Sequence, residues 1–234
     1  TRISMTKIKI CGLQSIEHVL TAANAGADFI GFVFVPGVRR HIAEEKAREI
    51  IEGYKRIKTE LHHISIVGLF ANQSLDEVNR IVKECDLDFV QLCGNESVSY
   101  CRRVESKVIR QIKVETRSRK EDILPVLFQH VEQVLSHKSI PLLDRLEDGH
   151  LGGTGKAFDW SIAGEISKSF DIVLAGGLSP ENVDRALIKA NPWGVDVSSG
   201  VETKGDKDTD KILDFTKAVQ QSDQLRSERN QERN

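Results

Sequence analysis

A thiol and a carboxyl can divide a proton-transfer reaction between them, one removing a proton from carbon while the other donates one to a departing oxygen. Such a pair stands in this chain at the ends of two short apolar runs, Lys9-Ile10-Cys11-Gly12 and Leu142-Leu143-Asp144, more than a hundred residues apart. Cys11 and Asp144 are therefore the first candidates for a base and an acid. Both roles need shifted titrations, because a free carboxyl titrates near ~3.9 and a free thiol near ~8.5. Burial and a neighbouring cation such as Lys9 are the expected causes, and a Cys11 titrating only above about pH 9 would count against its use as a base.

Two further runs end on polar groups: Asp88-Phe89-Val90-Gln91-Leu92-Cys93-Gly94 and Val195-Asp196-Val197-Ser198-Ser199-Gly200. Gln91 and Asp196 are candidates for contacts to substrate hydroxyls. Gly176-Gly177 and Ser198-Ser199-Gly200 read as an anion cradle, because glycine lets backbone N–H groups approach a phosphate and serine adds hydroxyl donors. The stretch Gly152-Gly153-Thr154-Gly155 reads as a loop able to close over a ligand, with Gly153, Thr154 and Gly155 at its centre.

These residues need elements to position them. Strand-like runs are expected at Lys7 to Cys11, Phe29 to Phe34, Ser65 to Phe70, Phe89 to Leu92, Val108 to Lys113, Pro141 to Asp144, Ile172 to Ala175 and Gly194 to Val197. Helical patterns separate them. Ser15 precedes Ile16, Val19, Leu20 and Ala23 on one face, and Gly26 ends the pattern. Ser74-Leu75-Asp76-Glu77 has the form of a capping box, and Ser179-Pro180 that of an N-cap followed by a first-turn proline.

Alternating strands and helices imply an α/β fold with a parallel sheet, and eight such units are the number that closes a single (β/α)8 TIM barrel. An open, doubly wound sheet is the competing architecture. In a barrel, strand alternation turns Lys9, Cys11, Gln91 and Cys93 inward and leaves Ile8, Ile10, Val90 and Leu92 facing the helices. The barrel is expected over 1–219, followed by a polar, disordered tail over 220–234.

Composition bounds the partners. The chain has 234 residues, a formal net charge of -2 and 29% charged residues, which gives no general reason to expect nucleic acid. No run approaches the ~18 apolar residues that would span a bilayer, so a cytoplasmic location and no membrane partner are expected. Cys11, Cys85, Cys93 and Cys101 show no C-x-x-C spacing, so neither a zinc site nor a redox pair is expected, and Cys85 and Cys101 fall on helical faces. Monomer and homodimer stay open, because a dimerising helix face reads like a core face.

Each feature has a plainer reading. A lone cysteine is most often a packed small hydrophobe, and an aspartate ending a strand is often only a loop anchor. Arg39 and Arg40 alone would read as a solvated basic loop, His62 and His63 as solvent-facing, and the glycines as ordinary turns.

Taken together, Lys9-Ile10-Cys11-Gly12, Leu142-Leu143-Asp144, Gly152-Gly153-Thr154-Gly155 with Phe158-Asp159-Trp160, Gly176-Gly177 and Val195-Asp196-Val197-Ser198-Ser199-Gly200 resemble the phosphoribosylanthranilate isomerase family of tryptophan biosynthesis. The resemblance runs from Lys9 to about Asp208. It implies a cofactor-free, metal-free Amadori rearrangement of a phosphorylated aminosugar, an aldose-ketose isomerisation, with Cys11 as base and Asp144 as acid. It also places the arginine that holds the anthranilate carboxylate at Arg40, within Gly37-Val38-Arg39-Arg40-His41, with Arg39 as the alternative. One departure is Cys93, where many members carry histidine in Gln-Leu-His-Gly. Two other readings are a related sugar-phosphate isomerase, which would resemble a two-aspartate arrangement, and a non-catalytic phosphate-binding barrel.

Overall fold

The computed structural model describes residues 5–57, 64–115, 118–145 and 159–231. Eight parallel strands close into a barrel in chain order: β1 (Lys7–Cys11), β2 (Phe29–Val33), β3 (Ser65–Phe70), β4 (Phe89–Leu92), β5 (Lys107–Val114), β6 (Ile140–Arg145), β7 (Val173–Leu174) and β8 (Gly194–Val197). The ring closes where β8 pairs with β1, Asp196 lying opposite Lys9. The outer layer is α1 (Ile16–Ala25), α2 (Glu44–Ile57), α3 (Leu75–Glu84), α4 (Val98–Cys101), α5 (Lys120–Ser136), α6 (Trp160–Ser167), α7 (Val183–Ala190) and α8 (Thr209–Gln231). The chain is thus a (β/α)8 barrel, and β1, β3, β4 and β8 begin and end where the apolar runs placed them.

Strand alternation sorts the side chains into two cores. Ile8, Ile10, Val90 and Leu92 pack outward into the large cluster shared with the helices. Phe29, Val67, Phe89, Ile109, Leu142 and Val173 fill the barrel interior beneath the polar residues. Phe29 meets Phe89 edge-on with ring centroids 5.4 Å apart.

Local signals account for the helix ends. The Ser15 hydroxyl accepts from the His18 N–H, and Gly26 ends α1 in the left-handed region at φ 92°. Ser74 likewise accepts from the Glu77 N–H at the start of α3. α7 starts later than Ser179-Pro180 suggested. Asn182 accepts from the Ser179 N–H and donates to the Gly177 carbonyl, so residues 179–182 form a turn and the helix begins at Val183.

Two features were not read from the sequence. A short hairpin pairs β9 (Glu202–Thr203) with β10 (Asp206–Lys207), its turn carrying Lys204 and Gly205 at φ 53° and 98°. The second is that α8 continues to Gln231, where a disordered tail was expected from 220 onward. The buried Asp223 carboxylate accepts from the Thr6 N–H at 2.6 Å and the Thr6 hydroxyl at 2.8 Å. Arg226 donates to Asn191 and back to Thr6. Polar contacts, not an apolar stripe, hold this end of the helix to the barrel. Among the described residues, no helix is long and apolar enough to cross a membrane.

Candidate active site

The strands deliver their last residues to one end of the barrel, where an open cleft of about 600 Å³ lies among the following loops. Cys11, Arg40, Gln91, Asp144 and Asp196 all line it, as do Gly176, Gly177, Ser198 and Ser199. Gly200 lies behind this wall, where an added Cβ would fall 1.8 Å from the Leu178 carbonyl oxygen. Close contact between the loops after β7 and β8 therefore requires glycine there. Gly153, Thr154 and Gly155 lie outside the described residues, as do His62 and His63.

Cys11 ends β1 with its thiol buried in the barrel mouth. The neighbouring position on β2 is Gly31, where a Cβ would sit 3.0 Å from Cys11 Sγ, so the missing side chain makes room for the sulfur. Below the thiol, Lys9 Nζ donates to Asp196 Oδ1 at 2.8 Å, with both side chains buried. Burial pushes the Cys11 thiol up; Lys9 and Lys207 pull it back down, and Asp196 adds to the rise. The net direction is upward, which corrects the expectation that the surroundings favour a resting thiolate. Burial disfavours the charged form of Lys9 as well, but Asp196 and Cys11 more than reverse this and hold it protonated.

Asp144 stands at the end of β6. Gln111, an inward residue of β5, donates from Nε2 to Asp144 Oδ2 at 2.6 Å, and the Arg145 N–H donates to Oδ1 at 2.8 Å. Gly176 closes over it from the loop after β7. Its φ is +83°, and an added Cβ would lie 2.7 Å from Asp144 Oδ1. Position and backbone shape both exclude a side chain at Gly176.

Gln91 is 2% exposed, and its Nε2 donates to Cys93 Sγ at 3.5 Å. Among the described residues its Oε1 is buried with no hydrogen-bond partner, a polar atom able to accept from a donor arriving in the cleft. Burial pushes the Cys93 thiol up to about 12, so at neutral pH this position carries a neutral thiol.

Opposite these groups lies a charge cluster that the sequence did not reveal. Arg40 Nε donates to Glu202 Oε1 at 2.6 Å and Nη2 to Oε2 at 3.1 Å. Arg39 Nη2 reaches the same carboxylate at 2.6 Å, and Lys207 Nζ reaches it at 2.8 Å. Burial raises the Glu202 pKa, but hydrogen bonds from Arg40 and Lys207 outweigh it and hold the carboxyl at about 2. Lys207 also donates to the Ser198 carbonyl, while the Ser198 hydroxyl donates to the Cys11 carbonyl. Glu202, Lys207 and Gln111 are thus site residues that sequence reasoning missed. Gln111 had a signal, being a polar residue at an inward position of an apolar strand, and Lys204-Gly205 marked a two-residue hairpin turn.

The loops after β7 and β8 face each other across the rim. Gly176 and Gly177 both have positive φ, at 83° and 72°, and Ser199–Val201 forms a single 3-10 turn after β8. Glycine-bearing turns and a half-buried serine pair lining the cleft are the elements of an anion cradle.

The family described as N-(5'phosphoribosyl)anthranilate (PRA) isomerase matches this chain over residues 8–218. An N-(5'-phosphoribosyl)anthranilate isomerase of Dehalococcoides mccartyi is 43% identical over 219 residues, 94% of this chain and 98% of that protein. The crystal structure of phosphoribosyl anthranilate isomerase from Thermotoga maritima superposes with a TM-score of 0.78 at 34% identity, covering 92% of this chain and 98% of that one. A structure of such an isomerase in complex with reduced 1-(o-carboxyphenylamino)-1-deoxyribulose 5-phosphate covers the same shares at 33% identity and a TM-score of 0.73. With its fold, its cleft and these likenesses in agreement, the chain belongs to the N-(5'-phosphoribosyl)anthranilate isomerase family.

Proposed function

We propose that this chain converts N-(5'-phosphoribosyl)anthranilate into 1-(2-carboxyphenylamino)-1-deoxyribulose 5-phosphate, with Cys11 as general base and Asp144 as general acid. The observation that carries this reading is a thiol from β1 and a carboxyl from β6 lining one cleft between a glycine-serine rim and an arginine. The rearrangement is an internal redox reaction in which C1′ gains the electron pair that C2′ loses. Its chemistry calls for no external hydride carrier.

Asp144, protonated, gives its proton to the furanose ring oxygen as the C1′–O bond breaks, and the nitrogen lone pair forms the Schiff base. Cys11, as thiolate, removes the C2′ proton; the released pair makes the C1′–C2′ double bond and returns the imine electrons to nitrogen. The enolamine then gains a proton at C1′ and loses one from the C2′ hydroxyl. Gln111 and the Arg145 N–H orient the acid, and Lys9 and Lys207 favour the charged base. Burial holds the Cys11 thiol above its ordinary value, which counts against a resting thiolate, so the base must form from a minor thiolate population that Lys9 and Lys207 favour. A thiolate of higher pKa is also the stronger base once formed.

Gly176, Gly177, Ser198 and Ser199 would take the phosphate, with Gly200 behind them letting the loop after β8 pack against Leu178, and Arg40 would take the anthranilate carboxylate. Arg39 is the weaker candidate for the carboxylate because both of its terminal nitrogens are engaged, by Glu202 and by the Gly205 carbonyl. Gln91 Oε1 would accept from a sugar hydroxyl, and Asp196 would act through Lys9. We read the enzyme as cytoplasmic, because a substrate bearing a phosphate and a carboxylate does not cross a bilayer unaided.

The test is to incubate the purified chain with phosphoribosylanthranilate in D2O and follow the product by NMR. An aminoketose with deuterium at C1′ supports the reading, whereas unchanged substrate under conditions where it binds would favour a non-catalytic barrel.

A further inference from the structure

We infer that Glu202 is a positioning residue for substrate recognition, holding one edge of the Arg40 guanidinium so that its other edge meets the carboxylate of the substrate. This inference rests on the reading of Arg40 as the carboxylate ligand. Glu202 takes Nε and Nη2, the side-on edge of the guanidinium, and among the described residues the hydrogen bonds of Arg40 run through those two nitrogens. The end-on edge, Nη1 with Nη2, is what a second carboxylate can meet bidentately.

Burial and two further contacts make Glu202 a fixed support and not a passing surface partner. Its side chain is 5% exposed, and it is held by Lys207 from the opposite strand of the β9–β10 hairpin. Arg39 closes the other side at 2.6 Å. The Arg40 stem lies against Gly12, whose φ is +79° and whose missing Cβ leaves room for Arg40 Cδ; an added carbon would be 2.6 Å away. One carboxylate among three cations also leaves the cluster positively charged, so Glu202 orients Arg40 without cancelling its attraction for an anion. An arginine already ordered loses less side-chain freedom on binding.

The experiment measures kcat, KM and melting temperature for the full-length wild type, E202Q, R40A, R40A/E202Q and E202D with phosphoribosylanthranilate. Positioning predicts that E202Q raises KM about ten-fold while kcat stays within about three-fold, and that E202Q adds nothing further once Arg40 is alanine. A wild-type KM in folded E202Q, or a full additional rise in the R40A background, overturns the inference. A merely structural role would lower the melting temperature and leave KM alone. An R40A variant with wild-type KM would instead overturn the reading of Arg40 on which the inference stands. Should E202Q fail to fold, E202D decides: it keeps the charge but withdraws the carboxylate by one methylene, so a raised KM supports positioning and a wild-type KM contradicts it.

Discussion

The Lys9 ammonium lies 2.8 Å from the Asp196 carboxylate, with the two side chains 3% and 9% exposed, directly beneath the Cys11 thiol. The two partners act on the thiol with opposite signs, since Lys9 favours the thiolate and Asp196 opposes it. Replacing Lys9 with Gln should therefore slow iodoacetamide labelling of Cys11 at pH 8 by about ten-fold, whereas Asp196→Asn should accelerate it. Mass-spectrometric labelling rates for both folded variants check this, and changes of the same sign would contradict it.

Gly176 offers a separate handle on the acid. In Gly176→Ala, the new methyl group must displace the Asp144 carboxylate or the backbone, which already has φ +83°. A shift of about 1 Å at a reacting group costs on the order of a hundred-fold in rate. The expected result is a kcat lowered by about ten- to a hundred-fold with the barrel still folded by circular dichroism.

Acid stability should report on Glu202. Its folded pKa, about 2, lies below the unfolded value of 4.5, so its ionised form stabilises the fold at neutral pH. That contribution, about 3 kcal/mol, is present above about pH 4.5 and is lost as the pH falls toward 2. Urea unfolding of E202Q and wild type should accordingly differ most near pH 7 and converge below pH 4.5. A constant difference across that range would exclude the assignment.

The end of α8 should matter for stability and not for catalysis. Asp223→Ala leaves the Thr6 N–H and Arg226 without their carboxylate, at a cost of about 2–4 kcal/mol. Truncation after Val219 should cost at least as much. Urea midpoints measure the loss, and kcat and KM should remain at wild-type values because these contacts lie away from the cleft.

The barrel was legible because its parallel strands, buried on both faces, read as continuous apolar runs bounded by turn residues, as in Phe29–Val33 and Phe89–Leu92. Period-2 alternation was enough to turn Cys11 and Gln91 inward. The Glu202 cluster was not legible, since Glu202 and Lys207 look like surface charges until the hairpin folds them onto Arg40. The direction of the Cys11 shift was hidden for the same reason: it depends on how fully the mouth buries the sulfur, which no local spacing encodes. Residues 220–231 read as a tail because helices are recognised by their apolar stripe, and this one is held by Asp223 and Arg226 instead.

The acid/base pair is the centre of the account, and the fluorescence decay of phosphoribosylanthranilate measures it most directly. Wild type, Cys11→Ser and Asp144→Asn would be run side by side after their folding is confirmed. The account predicts rapid decay with wild type and a loss of at least about a hundred-fold in kcat for each substitution. Either folded variant retaining wild-type kcat would contradict the assignment of that residue.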